Sequence, residues 1–280
     1  MSNVKERVGT GVGVTLILLW CLLPVAWIVS LSFKSQEAVT NGSPGFFPAS
    51  GAGAGFDNYK QVLQDDAFLL AIRNSIVVSL SATILSVALA TLAAYAIARL
   101  EFRGKKFVLT TALVIAMFPV VSLVGPLFDM WRTVGLYDTW WGLMIPYISF
   151  TLPLAIWTLS AFFREIPWEM EQAAQVDGAT PWQAFRKVIV PLAAPGVFTA
   201  AILTFFFAWN DFVFGISLTS TERARPIPAA LSFFVGADPF NRPASLLAAA
   251  AVVATIPIVV LVLFFQRKIV AGLTAGAVKG

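Results

Sequence analysis

The sequence of 280 residues has no histidine, and its only cysteine is Cys21. A lone thiol cannot form an internal disulfide, and without histidine neither a His/Cys metal cluster nor a histidine-based catalytic triad can be built. The sequence also lacks the Gly-x-x-x-x-Gly-Lys-Ser/Thr loop that binds nucleotide phosphates. We therefore expect no enzymatic activity, no metal site and no cofactor in this chain.

Charged residues are scarce as well, at 12% of the chain, whereas hydrophobic residues make up 58% and the mean hydropathy is +0.82. Soluble domains average about 25% charged residues, so this chain has too little charge to cover a surface that faces water. The 24 phenylalanines and 9 tryptophans exclude a disordered chain. The composition is typical of an integral membrane protein.

Six charge-free runs are each at least 22 residues long, and about 20 apolar residues suffice to cross a hydrocarbon core of about 30 Å. They predict an all-α integral membrane protein with six transmembrane helices in a single domain, residues 1–280. A seventh uncharged run, 38–56, is predicted to be a loop because its glycines, prolines and serines would leave backbone groups unsatisfied in lipid. The predicted spans are 10–33, 70–98, 107–128, 140–163, 188–218 and 243–266.

Prolines are frequent inside these runs. Each proline removes a backbone donor and bends its helix, which a membrane tolerates where neighbouring helices or a cavity satisfy the freed carbonyl groups. Together the prolines favour a protein with a cavity over a simple anchor. They are Pro24, Pro119, Pro126, Pro146, Pro153, Pro195 and Pro257.

Lysine and arginine are unevenly distributed between the two sides that six spans define. The side with both termini and the loops 99–106 and 164–187 holds 12 of the 19 basic residues, and the opposite side holds seven. Because basic residues are enriched in cytoplasmic loops, both termini are predicted to be cytoplasmic. The first run is too long for a signal peptide and no small-residue cleavage site follows it, so we expect a retained helix.

A short cytoplasmic helix is predicted at about residues 167–178. Pro167 can occupy its first position, and Glu169 and Glu171 in the first turns complement the helix dipole. Gly178 suits the left-handed conformation that ends a helix. A free helix of this length is marginal in water, which favours a docking element, although an ordinary solvated connection remains the alternative.

The residues that follow predict a second helix that runs into the membrane. Thr180 and Gln183 have the spacing of a capping box, with Pro181 between them at the first helical position. One face of the first helix consists of residues that lie three, four and seven positions after the first of them. The small alanines on this face would let a partner surface approach closely. This face consists of Met170, Ala173, Ala174 and Asp177.

This region resembles the EAA motif of ABC importer permeases, which is Glu-Ala-Ala, three residues, Gly, nine residues and then hydrophobic-x-hydrophobic-Pro. Ala173 and Ala174 match the alanines and Gly178 the glycine, and the ending at 188–191 has the correct spacing. Gln172 occupies the position of the motif glutamate, and Glu171 stands one residue earlier.

The likeness extends from about residue 67 to the C-terminus. The sequences FFFAWNDF, residues 205–212, and FFQRKIVAGLTAGAVKG, residues 264–280, are similar to those of the carbohydrate branch of the family, in particular the second permease of maltose- and trehalose-type importers. The resemblance makes the helix at 167–178 a coupling helix. The predicted ATPase-coupling residues are Met170, Glu171, Ala173, Ala174, Asp177 and Gly178.

The resemblance also implies the ABC importer permease fold and a set of partners. These are a second homologous permease, two ATPase subunits that bind ATP and magnesium, and an extracytoplasmic sugar-binding protein. The protein is then a multi-pass protein of the bacterial inner or plasma membrane that helps to import a disaccharide such as trehalose or maltose. The outer segments 34–67 and 219–242 are predicted to meet the binding protein, with a loop at 238–243.

A substrate-binding site is predicted at Trp209, Asn210 and Asp211. They lie about eight residues from the outer end of the fifth span, which is roughly 12 Å into the membrane at about 1.5 Å per residue. Polar groups at that depth are expected to face the bundle interior or a wet cavity. Amide and carboxylate oxygens accept hydrogen bonds from sugar hydroxyls, and an indole ring stacks on a pyranose; hydrogen bonding between helices is the alternative role.

A different class of transporter is the main competing interpretation. An ion-coupled secondary transporter of a small polar solute would need buried ionisable groups or an internal repeat. Asp211 is the one candidate for such a group, and no repeat is evident. A membrane-embedded enzyme is disfavoured because no set of catalytic residues can be assembled.

Overall fold

The computed structural model describes residues 2–40, 45–46, 55–234 and 243–275, and these form helices, turns and loops without a β-strand among them. The all-α prediction is confirmed. The helices are α1 Ser2–Ser32, α2 Gln36–Thr40, α3 Asp57–Gln64, α4 Asp66–Arg99, α5 Lys105–Ala116, α6 Val120–Val134, α7 Trp140–Glu165, α8 Trp168–Val176, α9 Pro181–Ala184, a π-helical turn Phe185–Ile189, α10 Val190–Leu192, α11 Ala194–Asn210, α12 Val213–Leu218, α13 Ile227–Phe233 and α14 Ala244–Ala275.

Four helical segments are each long and apolar enough to cross a membrane, namely Glu6–Ser32 of α1, α4, α7 and Ala244–Gln266 of α14. Two more candidates are sharply bent pairs. Helices α5 and α6 meet at 89°, and the segment Pro181–Leu192 meets α11 at 73°. The described residues therefore contain four candidate spans, or six if each bent pair crosses the membrane once.

The bent pairs show that neither 107–128 nor 188–218 is one continuous helix. In the first run α5 ends at Ala116, and α6 begins after Pro119, whose backbone is extended (φ −66°, ψ 115°) and which cannot donate a hydrogen bond. In the second run, Pro195 lies in the first turn of α11, and a further break at Asp211 separates α11 from α12. Pro119 and Pro195 thus lie at the starts of the helices that follow the two bends, whereas Pro126 lies inside α6 and the break at Asp211 contains no proline.

Residues 70–230 and 258–280 form one of two compact units, with α4, α7 and α11 at its centre. Small residues allow these helices to approach closely. Ala90 and Ala94 on α4, Ala155 on α7 and Ala200 on α11 are at most 3% exposed. Gly196 on α11 lies so close to α7 that a Cβ atom there would overlap the ring of Phe162.

The second unit consists of residues 1–69 and 231–257. Within it, α3 is held at the end of α1 by polar contacts. The amide nitrogen Nδ2 of Asn58 donates to the carbonyl oxygens of Ser32 (2.8 Å) and Lys34 (2.9 Å). The hydroxyl groups of Ser32 and Tyr59 are 2.6 Å apart. These contacts fix part of the first outer segment predicted to meet the binding protein.

Candidate functional site

The predicted cytoplasmic helix is present as α8, a helix of nine residues. It ends where Gly178 takes a positive φ of 89°, a conformation that favours glycine because it has no Cβ atom. The capping box predicted for the next helix is present too. The amide of Gln183 donates to Oγ1 of Thr180 (3.3 Å), and the amide of Thr180 donates to Oε1 of Gln183 (2.9 Å).

The outward face of α8 contains most of the predicted coupling residues. Met170 is 43% exposed, and Ala173, Asp177 and Gly178 are exposed as well. Ala174 is half-buried, so it lies at the edge of this face. Two apolar side chains that the sequence reasoning did not select extend the surface, namely Val176 at 87% exposure and Trp182 at 59%. Below, the docking face means Met170, Ala173, Val176 and Asp177.

Glu171 differs from the other predicted coupling residues because it is buried, with 4% exposure. Its carboxylate faces the C-terminal end of α4. Oε1 accepts a hydrogen bond of 2.5 Å from the hydroxyl of Tyr95, and Oε2 lies 3.7 Å from Nε of Arg99. Oε2 of Glu171 and Nε of Arg99 form an ion pair at this distance, and neither atom has a hydrogen-bond partner among the described residues. The structure thus places Glu171 in a contact within the chain and away from the docking face.

Arg99 also contacts the two ends of the connection between α7 and α8. Its Nη2 donates to the carbonyl oxygen of Ile166 (2.8 Å). Its guanidinium lies over the indole of Trp168, 4.7 Å from the ring centroid. The sequence reasoning counted Arg99 only as a cytoplasmic charge, because nothing in local spacing reveals a partner on a distant helix.

The predicted substrate residues 209–211 lie at the break between α11 and α12, and their side chains have different surroundings. Trp209 is 3% exposed and stacks on Phe205, with the ring centroids 5.4 Å apart. Asn210 is exposed, and its Nδ2 donates to the carbonyl oxygen of Phe206 (2.9 Å). Oδ2 of Asp211 accepts from the Tyr147 hydroxyl (2.9 Å) and from the amide of Gly215 (3.0 Å).

Asp211 therefore supports the first turn of α12 and ties it to α7, since Tyr147 lies on α7 and is fully buried. Of the three residues, Asn210 is the one with an exposed side chain. A cavity of about 60 Å³ lies nearby between α7 and α11, lined by residues that include Phe150, Thr204 and Phe207. Pockets that bind organic ligands usually measure about 300–1,000 Å³, so this cavity is too small for a disaccharide.

The loop after α12 is held by side chains from the α6–α7 connection and from α4. Asp138, whose φ is 58°, accepts hydrogen bonds from the amides of Ser220 (3.0 Å) and Thr221 (3.2 Å). Nδ2 of Asn74 donates to the carbonyl oxygens of Glu222 (2.8 Å) and Arg225 (3.1 Å). The exposed side chains of 220–223 are thus held on a fixed backbone. Most of the loop predicted at 238–243 lies outside the described residues.

Comparison with known proteins defines the class of this chain. The model of a family described as "Binding-protein-dependent transport system inner membrane component" matches residues 86–274, which is more than half of the chain and includes α8. The chain belongs to this family and is an inner-membrane permease component of a binding-protein-dependent transporter. The predicted relationship to carbohydrate ABC importer permeases is confirmed.

Individual relatives agree with this class. The trehalose transport system permease protein SugB of Mycobacterium tuberculosis is 56% identical over 266 residues, which cover 95% of each chain. The trehalose/maltose transport system permease protein MalG of Thermococcus litoralis is 37% identical over 281 residues, covering 100% of this chain and 99% of that one.

A solved structure supports the fold. A chain from the crystal structure of a bacterial ABC transporter involved in the import of the acidic polysaccharide alginate superimposes with a TM-score of 0.80. The two chains are 24% identical, and the match covers 95% of this chain and 97% of the other. The predicted ABC importer permease fold is therefore confirmed.

Proposed function

We propose that this chain is one of two permease subunits of an ATP-driven importer for a disaccharide, with trehalose as the first candidate and maltose as the second. The observation that carries the substrate assignment is the 56% identity with a trehalose transport permease over nearly the whole chain. Both relatives named above have trehalose in their names, and one has maltose as well.

In this proposal the docking face of α8 receives one of two ATPase subunits, which bind ATP and magnesium. Three of its four members are small or apolar, so a partner surface can cover them without leaving buried charges unpaired. Both termini and α8 are then cytoplasmic. On the outer side, the fixed loop at 219–226 and the first outer segment meet an extracytoplasmic sugar-binding protein.

Transport follows from mechanical coupling without covalent chemistry in this chain. ATP binding in the partner subunits moves α8, and a rigid-body rearrangement alternates access to a site shared with the second permease. Asn210 contributes a hydrogen-bonding side chain to that site. Asp211, in the break between α11 and α12, positions the Asn210 side chain. The buried Trp209 supports this break from the core of the unit.

An ion-coupled mechanism has no comparable support. The acid that it would use, Asp211, already accepts two hydrogen bonds that fix α12. Family membership points to a binding-protein-dependent system.

The docking face can be tested with two substitutions on α8 that add the same charge. Ala173→Glu places a carboxylate on the docking face, whereas Gln175→Glu adds one to an exposed position on another side of the helix. We expect Ala173→Glu to abolish co-purification of the ATPase subunit with a tagged permease and to stop uptake of labelled trehalose. Burial of an unpaired charge at an interface opposes binding.

The Gln175→Glu variant should retain the ATPase subunit and transport. If the Ala173→Glu transporter also keeps its ATPase subunit and takes up trehalose at the normal rate, the docking face is not where ATPase binds. Competition by unlabelled maltose and trehalose in the same assay decides the sugar, and failure of both to compete would refute the disaccharide assignment.

A further inference from the structure

The inner end of α4 and the coupling helix α8 are joined by a buried polar cluster. It consists of Tyr95, Arg99 and Glu171, and below it is called the α4–α8 link. Tyr95 and Arg99 are four residues apart, so they lie on the same face of α4 one turn from each other. Both contact the carboxylate of Glu171, at 2.5 Å from the Tyr95 hydroxyl and 3.7 Å from Arg99 Nε.

The α4–α8 link holds α8 at more than one point. Glu171 anchors its first turn, while Arg99 binds the carbonyl oxygen of Ile166 before the helix and covers Trp168 at its first position. The remaining exposed surface of α8 includes the docking face. A force applied to that face therefore reaches α4 directly through these contacts.

Tyr95 also connects the α4–α8 link to the segment that leads into α11. Its ring packs on Phe185 with centroids 4.6 Å apart, and Phe185 begins the π-helical turn that leads through α10 into α11. Turns of π-helix inside α-helical segments are often found at functional sites. One side chain on α4 thus contacts both α8 and the start of the path toward Asn210.

Electrostatics make this link firmer than a surface contact. The side chains of Arg99 and Glu171 are 2% and 6% exposed, and a buried charge whose partner is lost is strongly destabilising. Separation of α8 from α4 would leave each charge without its partner. We expect the two helices to move together for this reason.

We propose that Glu171 is a positioning residue that transmits the movement of α8 to α4 through Tyr95 and Arg99, and that it is not a contact for the ATPase subunit. This inference depends on the proposed function, because it assumes that an ATPase pulls on α8. It accounts for the departure from the EAA motif at Gln172: the acidic side chain one residue earlier is used inside the chain.

The test compares Glu171→Gln with Glu101→Gln in the complete transporter, purified with its partner subunits and reconstituted in vesicles. Glu101 is an exposed carboxylate two residues after Arg99 and serves as the matched control. We expect Glu171→Gln to keep the ATPase subunits and to hydrolyse ATP, while trehalose transported per ATP falls about tenfold, within the usual range of coupling between sites. Glu101→Gln should match the wild type in all three measurements.

Two further variants separate transmission from folding. Tyr95→Phe removes one hydroxyl and no charge, and should lower the trehalose-to-ATP ratio with the complex intact. The double variant Arg99→Glu with Glu171→Arg restores opposite charges and should recover part of the ratio.

The outcomes are separable. An unchanged ratio in both Glu171→Gln and Tyr95→Phe overturns the proposal, and so does loss of the ATPase subunits or of assembly in both, since the cluster would then only hold α8 in place. If the wild-type chain captures no ATPase subunit, the proposed function itself is wrong.

Discussion

Asn210 and Asp211 are neighbours in sequence but have different tasks in the structure, and this difference is testable. The side chain of Asn210 is exposed and donates to the carbonyl oxygen of Phe206 in its own helix, whereas Asp211 joins α12 to the buried Tyr147. We expect Asn210→Ala to raise the sugar concentration needed for half-maximal uptake without lowering the thermal stability of the purified transporter. Asp211→Ala should lower the stability by about 1–3 kcal/mol, because a buried hydroxyl loses its acceptor.

The double variant Asp211→Ala with Tyr147→Phe is the control for that explanation. Removal of both partners leaves no unsatisfied hydroxyl, so part of the stability should return. Normal uptake kinetics in Asn210→Ala would remove this residue from the sugar site. Equal stability of Asp211→Ala and the wild type would show that the Tyr147 contact does not support the break.

The same residues show why a site is harder to predict than a fold. Successive residues of a helix point in directions about 100° apart, so three in a row cannot all face one cavity, and the structure buries Trp209. The capping box at Thr180 and Gln183 was predictable because the contact is local. The contact between Tyr95 and Glu171 spans 76 residues, and no local spacing encodes it.

At the scale of helices, the close approach of α7 and α11 depends on Gly196. A Cβ atom there would overlap the ring of Phe162, whereas one at Gly125 on α6 would meet nothing within 4 Å. We expect Gly196→Ala to destabilise the transporter by about 1–3 kcal/mol through overpacking, measured as a lower thermal unfolding temperature in detergent. Gly125→Ala should be neutral or slightly stabilising, because alanine favours helix over glycine.

A Gly196→Ala protein as stable as the wild type would mean that Phe162 rotates aside and that the helices do not need the glycine.

Hydrophobic run lengths predicted that spans exist near 140–163 and 188–218. They could not predict which faces meet, because a uniformly apolar helix has no periodic signal to mark its buried side.

For the whole molecule, the membrane topology depends on whether the two bent pairs cross. With six crossings, Arg103 and Gln175 lie on the same side of the membrane and Arg223 lies on the other. With four crossings, neither bent pair changes sides, so Gln175 moves to the side of Arg223. The two topologies therefore differ in the side on which α8 lies, although α1, α4, α7 and α14 cross in both.

Single cysteines at these three exposed positions distinguish the topologies, since Cys21 is the only native cysteine and can be replaced by serine. We expect a membrane-impermeant maleimide to label Arg223→Cys in intact cells, and to label Arg103→Cys and Gln175→Cys only after the membrane is opened. The excess of lysine and arginine beside the termini and α8 predicts this orientation. An ATPase that uses cytoplasmic ATP can reach α8 only in the topology with six crossings. Labelling of Gln175→Cys from outside would therefore refute both the six-span fold and the docking of an ATPase on α8.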